Sequence, residues 1–232
     1  MAAPILQENQ TVDTFHMMSF NLISDALNKN GYLFIRECDM AMEALEKVAE
    51  LQVSRIAKDT LTPKKINREN PGAWSNLYSD KEFPPHTDCA YQSSPPKYIA
   101  LHCISNENSD RPTYILNYHA IPAEARNKLS RVLWKMRHAE YSGALRLFRK
   151  SPTHRQEILR YDPTCMTPYF KKDLWAIDLV NLLYQRLAQK IIWSEGSLLV
   201  FDNWRCLHGR GVNSPFQNGA ENRIIERHSA YI

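Results

Sequence analysis

Apolar residues recur at helical spacing early in the chain. In TVDTFHMMSFNLISDALNKNG (11–31), Leu22, Ile23, Ala26 and Leu27 share one face and Gly31 offers a stop, which predicts a helix. YLFIRE (32–37) then reads as a short strand. MAMEALEKVAELQVSRIA (40–57) predicts a second helix, with Ala44, Leu45, Val48, Ala49 and Leu51 on or near one face. From 60 to 97 the periodicity is lost and Pro, Asn, Asp and Ser accumulate, so a long loop with short strands is expected; such loops in compact domains are often functional. KYIALHCI (97–104) and RPTYILNY (111–118) read as strands separated by the turn SNENSD. PAEARNKLSRVLWKMRHA (122–139) predicts a helix whose first turn suits Pro122, and LWAIDLVNLLYQRLAQK another around Asp178 to Lys190. IIW, SEG and SLLVFDN form a predicted hairpin turning at Gly196, and ENRIIERHSAYI a last strand.

Helices early and in the middle with strands elsewhere predict an α+β, mainly β fold, its β core carrying helices on one side. No composition shift marks a boundary, so a single domain over 1–232 is expected. Hydrophobic residues are 44% of the chain, enough for a sizeable core. The net charge of +4 suits an anionic ligand but is too weak to point to nucleic acid, and PKKINREN (63–70) reads as a solvated loop. Five scattered cysteines, with no CxxC spacing, suggest neither a disulfide framework nor a cysteine zinc site. Thiols of this kind, no signal-peptide pattern in MAAPILQENQTVDTF and no apolar run long enough to cross a bilayer lead us to expect a cytoplasmic protein without a membrane partner.

The stretch EFPPHTDCAY (82–91) changes the picture. Pro84 and Pro85 favour an extended approach, and in an extended HTD segment His86 and Asp88 share a face while Thr87 faces away. An imidazole and a carboxylate on one face supply two of the three ligands of a 2-His-1-carboxylate triad for non-haem Fe(II). The same residues also read as a surface turn in which Asp88 bonds nearby backbone. A third ligand is available in SLLVFDNWRCLHGRGVN (197–213), where His208 follows a strand and an Asp-Asn turn; its plainer reading is a histidine packed at a strand end.

With HTDCAYQSSPPKYIALHC and GSLLVFDNWRCLHGRGVN in order, the chain resembles the Fe(II)/2-oxoglutarate-dependent dioxygenases of the taurine dioxygenase, clavaminate synthase and γ-butyrobetaine hydroxylase superfamily. LISDALNKNGYLFIRE resembles the helix and strand that open that fold, and the similarity runs from about Leu22 to the C-terminus. The resemblance implies a double-stranded β-helix, or jelly roll, core with flanking helices. It implies His86, Asp88 and His208 as the iron ligands, 2-oxoglutarate as a co-substrate chelating the iron, and O2 as the second co-substrate.

In relatives an arginine on a strand shortly after the distal histidine grips the far carboxylate of 2-oxoglutarate, a geometry that a planar guanidinium meets and a lysine does not. Arg223 and Arg227 compete for that role. Both would share one strand face, about 13 Å apart, so only one reaches a given carboxylate. Arg223, fifteen residues after His208, has the spacing most like the family. Thr113 stands where relatives carry an assisting threonine, although Asp110, Arg111 and Pro112 precede it where relatives often have two glycines.

An intact Asp88 leaves no vacant place for a halide, so the resemblance implies hydroxylation of an unactivated C–H bond, with succinate and CO2 as co-products; desaturation and cyclisation remain open. For the substrate, PGAWSNLYSD offers Trp74, Asn76 and Tyr78, and ILRYDPTCMTPYF offers Arg160, Tyr161 and Asp162. Arg160 and Asp162 would suit the carboxylate and amine of a free amino acid or similar small polar metabolite, or they form a salt-bridged surface turn. The rival readings are an oxygenase of nucleic-acid alkyl lesions, which would want a stronger basic groove, a zinc hydrolase using the same three ligands, and a jelly-roll metal-binding protein without oxygenase activity. Oligomeric state is not legible.

Overall fold

The computed structural model describes residues 11–15, 20–38, 54–62, 81–138, 140–151, 156–214 and 222–232. Its strands are β1 (Thr11–Phe15), β2 (Tyr32–Cys38), β3 (Arg55–Leu61), β4 (Phe83–His86), β5 (Tyr98–Glu107), β6 (Thr113–Asn117), β7 (Trp134–Arg137), β8 (Ser142–Leu145), β9 (Phe148–Lys150), β10 (Glu157–Leu159), β11 (Met166–Pro168), β12 (Gln189–Ile191), β13 (Leu198–Asp202), β14 (Cys206–Arg210) and β15 (Asn222–Tyr231). The helices are α1 (Phe20–Asn30), α2 (Ala123–Arg131) and α3 (Trp175–Leu187).

Two sheets organise the molecule. A six-stranded sheet has the order β1-β2-β13-β5-β15-β3 and a four-stranded sheet the order β12-β6-β14-β4. All pairings within them are antiparallel except β1 with β2, which is parallel. The sheets pack face to face: Phe34, Ile99, Leu101, Cys103, Leu199, Phe201 and Ile225 of the first meet Ile115, Ile191 and Cys206 of the second in one buried cluster. Side chains alternate along a strand, and both faces of β13 are covered, so its run LLVFD is buried throughout. Leu199 and Phe201 point between the sheets, whereas Leu198 and Val200 point outward against Ile23, Ala26 and Leu27 of α1. The outer face of the four-stranded sheet presents Leu116 and Leu207 to Leu129 of α2 and to Ala176, Val180 and Tyr184 of α3. Helices therefore cover both outer faces, not one side as expected.

Several other expectations need correction. Thr11–Phe15 is a strand beside β2 and the helix starts only at Phe20; β-branched and aromatic residues suit that pairing. Of the helix expected over 40–57, residues 40–53 lie outside the described residues, and Arg55 onward is strand, held by β15 over seven register positions from Leu61 to Arg55. The helix expected over 122–139 stops at Arg131; Trp134 and Met136 are buried while Lys135 and Arg137 are not, a two-residue period that pairs with β8 and β11. The turn at Gly196 is present, with φ +77°, but no hairpin forms: β12 pairs with β6 and β13 with β2 and β5. Trp193 makes this crossing between sheets, buried edge-on to Phe34 with its indole N–H donating to Thr113 Oγ1 at 2.9 Å.

Candidate metal centre

β4 and β14 are antiparallel neighbours, and their register sets His86 opposite His208. Cys206 of β14 points between the sheets and Leu207 away from them, so alternation returns His208 to the inter-sheet side, where its ring lies 4.8 Å from that of Phe201. Gly209 follows because the β4 backbone passes too close for a side chain: a Cβ there would sit 2.7 Å from Phe83 O. Thr87 faces away, its N–H donating to Tyr161 O at 2.7 Å and its Oγ1 accepting from Tyr161 N–H at 3.1 Å. That leaves Asp88 on the side of the two histidines.

His86, Asp88 and His208 are buried and bring one ligand atom each within 4.8 Å of the others. Asp88 Oδ1 lies 3.5 Å from His86 Nε2 and 3.7 Å from His208 Nε2. His86 Nδ1 is 3.0 Å from Pro84 O, and since a carbonyl only accepts, Nδ1 carries the proton and Nε2 keeps its lone pair. His208 Nδ1 has no hydrogen-bond partner among the described residues. Burial, helped by His86, pushes the His208 imidazole down to about 3, so it is neutral at ordinary pH. Burial would raise the Asp88 carboxyl, but the Arg227 guanidinium beside it outweighs burial and holds it well below the usual carboxylate range. A carboxylate and unprotonated imidazole nitrogens are what a divalent metal requires, so these residues fit an iron ion.

Arg227 is the second feature of the centre. Its Nη1 contacts Asp88 Oδ2 at 3.1 Å and its Nη2 contacts Asp59 Oδ2 at 3.0 Å. Burial disfavours this guanidinium, yet the two carboxylates raise its pKa above the usual value. Arg223 lies four residues earlier on β15. Ile225 between them packs into the inter-sheet core, so both arginines face that space, with a register shift at Ile224/Ile225 separating them. Arg223 is buried and its Nη1 donates to Arg111 O, two residues before Thr113. The Asp-Arg-Pro segment that stands in place of glycines thus supplies a carbonyl to Arg223.

The remaining substrate candidates divide. Trp74 and Asn76 lie outside the described residues. Arg160 is 3% exposed; its Nε donates to Ala90 O at 2.7 Å and its Nη2 has no partner among the described residues. Burial and the nearby Arg149 lower its pKa to about 10. Asp162 caps its own turn, Oδ1 accepting from Thr164 N–H at 2.9 Å and Thr164 Oγ1 at 2.6 Å. No ion pair joins Arg160 to Asp162 among the described residues and both are buried, so they are not the salt-bridged surface turn that their spacing also allowed; an Asx turn takes one Asp162 oxygen. Asp59 and Asn203 were missed by sequence reasoning. Asn203 bonds the Asp88 main chain across 115 residues, a contact without local signal.

Two histidines and a carboxylate at one sheet edge, beside arginines, define a site of the non-haem metal oxygenase class. The chain belongs to the family described as "Taurine catabolism dioxygenase TauD, TfdA family", which matches residues 3–228. It is an Fe(II)/2-oxoglutarate-dependent dioxygenase, with O2 as co-substrate. Solved structures share its fold. An asparagine oxygenase in complex with Fe(II), 2S,3S-3-hydroxyasparagine and succinate is 12% identical with a TM-score of 0.71, covering 91% of this chain and 78% of its own. The non-heme iron oxygenase OrfP, in complex with Fe, succinate and (3S)-hydroxy-L-Arg, is 16% identical with a TM-score of 0.63, covering 90% and 78%. A taurine dioxygenase from Burkholderia xenovorans is 16% identical with a TM-score of 0.62, covering 95% and 84%. No curated protein sequence matches the chain. No helix among the described residues is long and apolar enough to cross a membrane.

Proposed function

We propose that this dioxygenase hydroxylates a free amino acid or similar small polar metabolite. The observation that carries the reading is the convergence of His86, Asp88 and His208 within 4.8 Å at the edge of the inter-sheet space. The two packed antiparallel sheets are read as a double-stranded β-helix, and the chain as one domain acting in the cytoplasm, where five free thiols are at home. The resemblance to structures holding hydroxyasparagine and hydroxyarginine supports an amino-acid substrate.

His86, Asp88 and His208 would hold the iron, which with 2-oxoglutarate and O2 supplies the oxidising power for a C–H bond, with succinate and CO2 as co-products. Asp88 stays ionised at working pH because of its cationic surroundings, and His86 is fixed in one tautomer by Pro84 O. Arg223 holds the far carboxylate of 2-oxoglutarate, with Thr113 assisting. Arg160 receives an anionic group of the substrate: among the described residues this buried guanidinium has no carboxylate partner, which is costly unless a ligand supplies one. Asp162, with one oxygen committed to Thr164, keeps the Arg160 segment in place.

A panel of amino acids incubated with the iron-loaded enzyme, 2-oxoglutarate and O2 tests this. Succinate release should rise with one member of the panel, whose product gains one oxygen atom, and Arg160→Gln should raise KM for it about tenfold or more. No coupled succinate release with any amino acid, or an unchanged KM in the variant, would remove the substrate assignment.

A further inference from the structure

We propose that Asn203 is a positioning residue for Asp88: one buried carboxamide fixes both main-chain groups of the carboxylate ligand and so sets its place opposite His86 and His208. The inference rests on the reading of these three residues as the metal ligands.

The sheet ladder of β4 ends at His86, so Asp88 has no strand partner to place it. It lies in a turn whose next residue, Cys89, has φ +55°, a left-handed conformation that a side-chain-bearing residue holds only when its surroundings impose it. Asn203 is fully buried. Its Oδ1 accepts from Asp88 N–H at 2.9 Å, and its Nδ2 donates to Asp88 O at 3.1 Å and to Pro96 O at 2.9 Å. One carboxamide therefore satisfies both the donor and the acceptor of the ligand residue, which neither an aspartate nor an alanine does.

Asn203 is itself held. Its N–H donates to Lys97 O at 2.7 Å, and the buried Lys97 Nζ pairs with Asp202 Oδ2 at 2.8 Å. Asp202 Oδ1 accepts from Trp204 N–H at 2.9 Å, and Trp204 Nε1 donates to Pro95 O at 3.0 Å. This turn joins β13 to β14, the strand bearing His208. A single short segment thus carries the third ligand and braces the second, which couples the two halves of a donor set drawn from distant parts of the chain.

The test is the Fe(II) affinity of the metal-free protein, measured without oxygen against a chromophoric chelator, together with the melting temperature of each metal-free variant. Asn203→Ala and the equal-sized Asn203→Asp should bind Fe(II) about 10- to 100-fold more weakly than wild type. Ser197→Ala, which removes a buried hydroxyl bonded to Ser194 O before the start of β13 and no contact of Asn203 or Asp88, should lower the melting temperature and leave Fe(II) affinity unchanged. Wild-type affinity in either folded Asn203 variant, or an equal loss in Ser197→Ala, would overturn the inference. Failure of the wild-type protein itself to bind Fe(II) would instead remove the metal-site reading beneath it.

Discussion

The two sheets bring different chemistry to the space between them. The four-stranded sheet and the turn beyond β4 contribute His86, Asp88 and His208, which are electron-pair donors. The six-stranded sheet contributes Arg223 and Arg227 on β15 and Asp59 on β3, a row of fixed charges. One side offers lone pairs, the other guanidinium groups and a carboxylate. They meet where Arg227 touches Asp88. The two arginines share a strand and a face, yet Arg227 is occupied by two carboxylates while Arg223 is bonded to the Arg111 carbonyl. Identical side chains on one face thus take different partners, because their neighbours differ.

The largest effect should come from the donor side. His208→Ala removes one of three ligands and should weaken Fe(II) binding by about 100-fold or more, read by chelator competition. Next is Arg223→Ala. Losing a pair of charge-assisted hydrogen bonds, worth about 2–3 kcal/mol, should weaken 2-oxoglutarate about 30- to 100-fold in a binding titration and leave Fe(II) affinity unchanged. Arg227→Ala should act on the metal with the opposite sign. It frees Asp88 Oδ2 of a competing cation and removes like-charge repulsion, so Fe(II) should bind more tightly, on the order of tenfold. Weaker Fe(II) binding there would mean that Arg227 orients the carboxylate more than it competes for it. The smallest change belongs to Asp59→Asn. Asp59 is half exposed, so its ion pair with Arg227 is screened, and Fe(II) affinity should stay within about twofold.

The donor side was the more legible in sequence, for a physical reason. His86 and Asp88 are related by the two-residue period of extended chain, and His208 follows an apolar strand and an Asp-Asn turn that read locally. The tight approach of β4 explains the glycine after His208. What escaped was set by distant partners. Thr11–Phe15 and Arg55–Leu61 are strands because β2 and β15 lie beside them. Trp134–Arg137 continues an apparent helix until β8 and β11 claim it. Asn203 reads locally as a turn residue, and its grip on Asp88 appears only once β13 and β14 are folded. Arg160 and Asp162 are neighbours in sequence, but their protein partners, Ala90 O and Thr164, come from different segments and left no local signal for Arg160.

The central claim is that the donor set holds Fe(II) and that iron there takes up 2-oxoglutarate. It is tested most directly by the visible spectrum of the protein under anaerobic conditions, with Fe(II) and then 2-oxoglutarate added. The account predicts a weak charge-transfer band in wild type that is lost in Asp88→Ala and in His86→Ala, and that needs far more 2-oxoglutarate to appear in Arg223→Ala. A band that persists without Asp88 or His86, or no band in wild type alongside tight zinc binding, would contradict it.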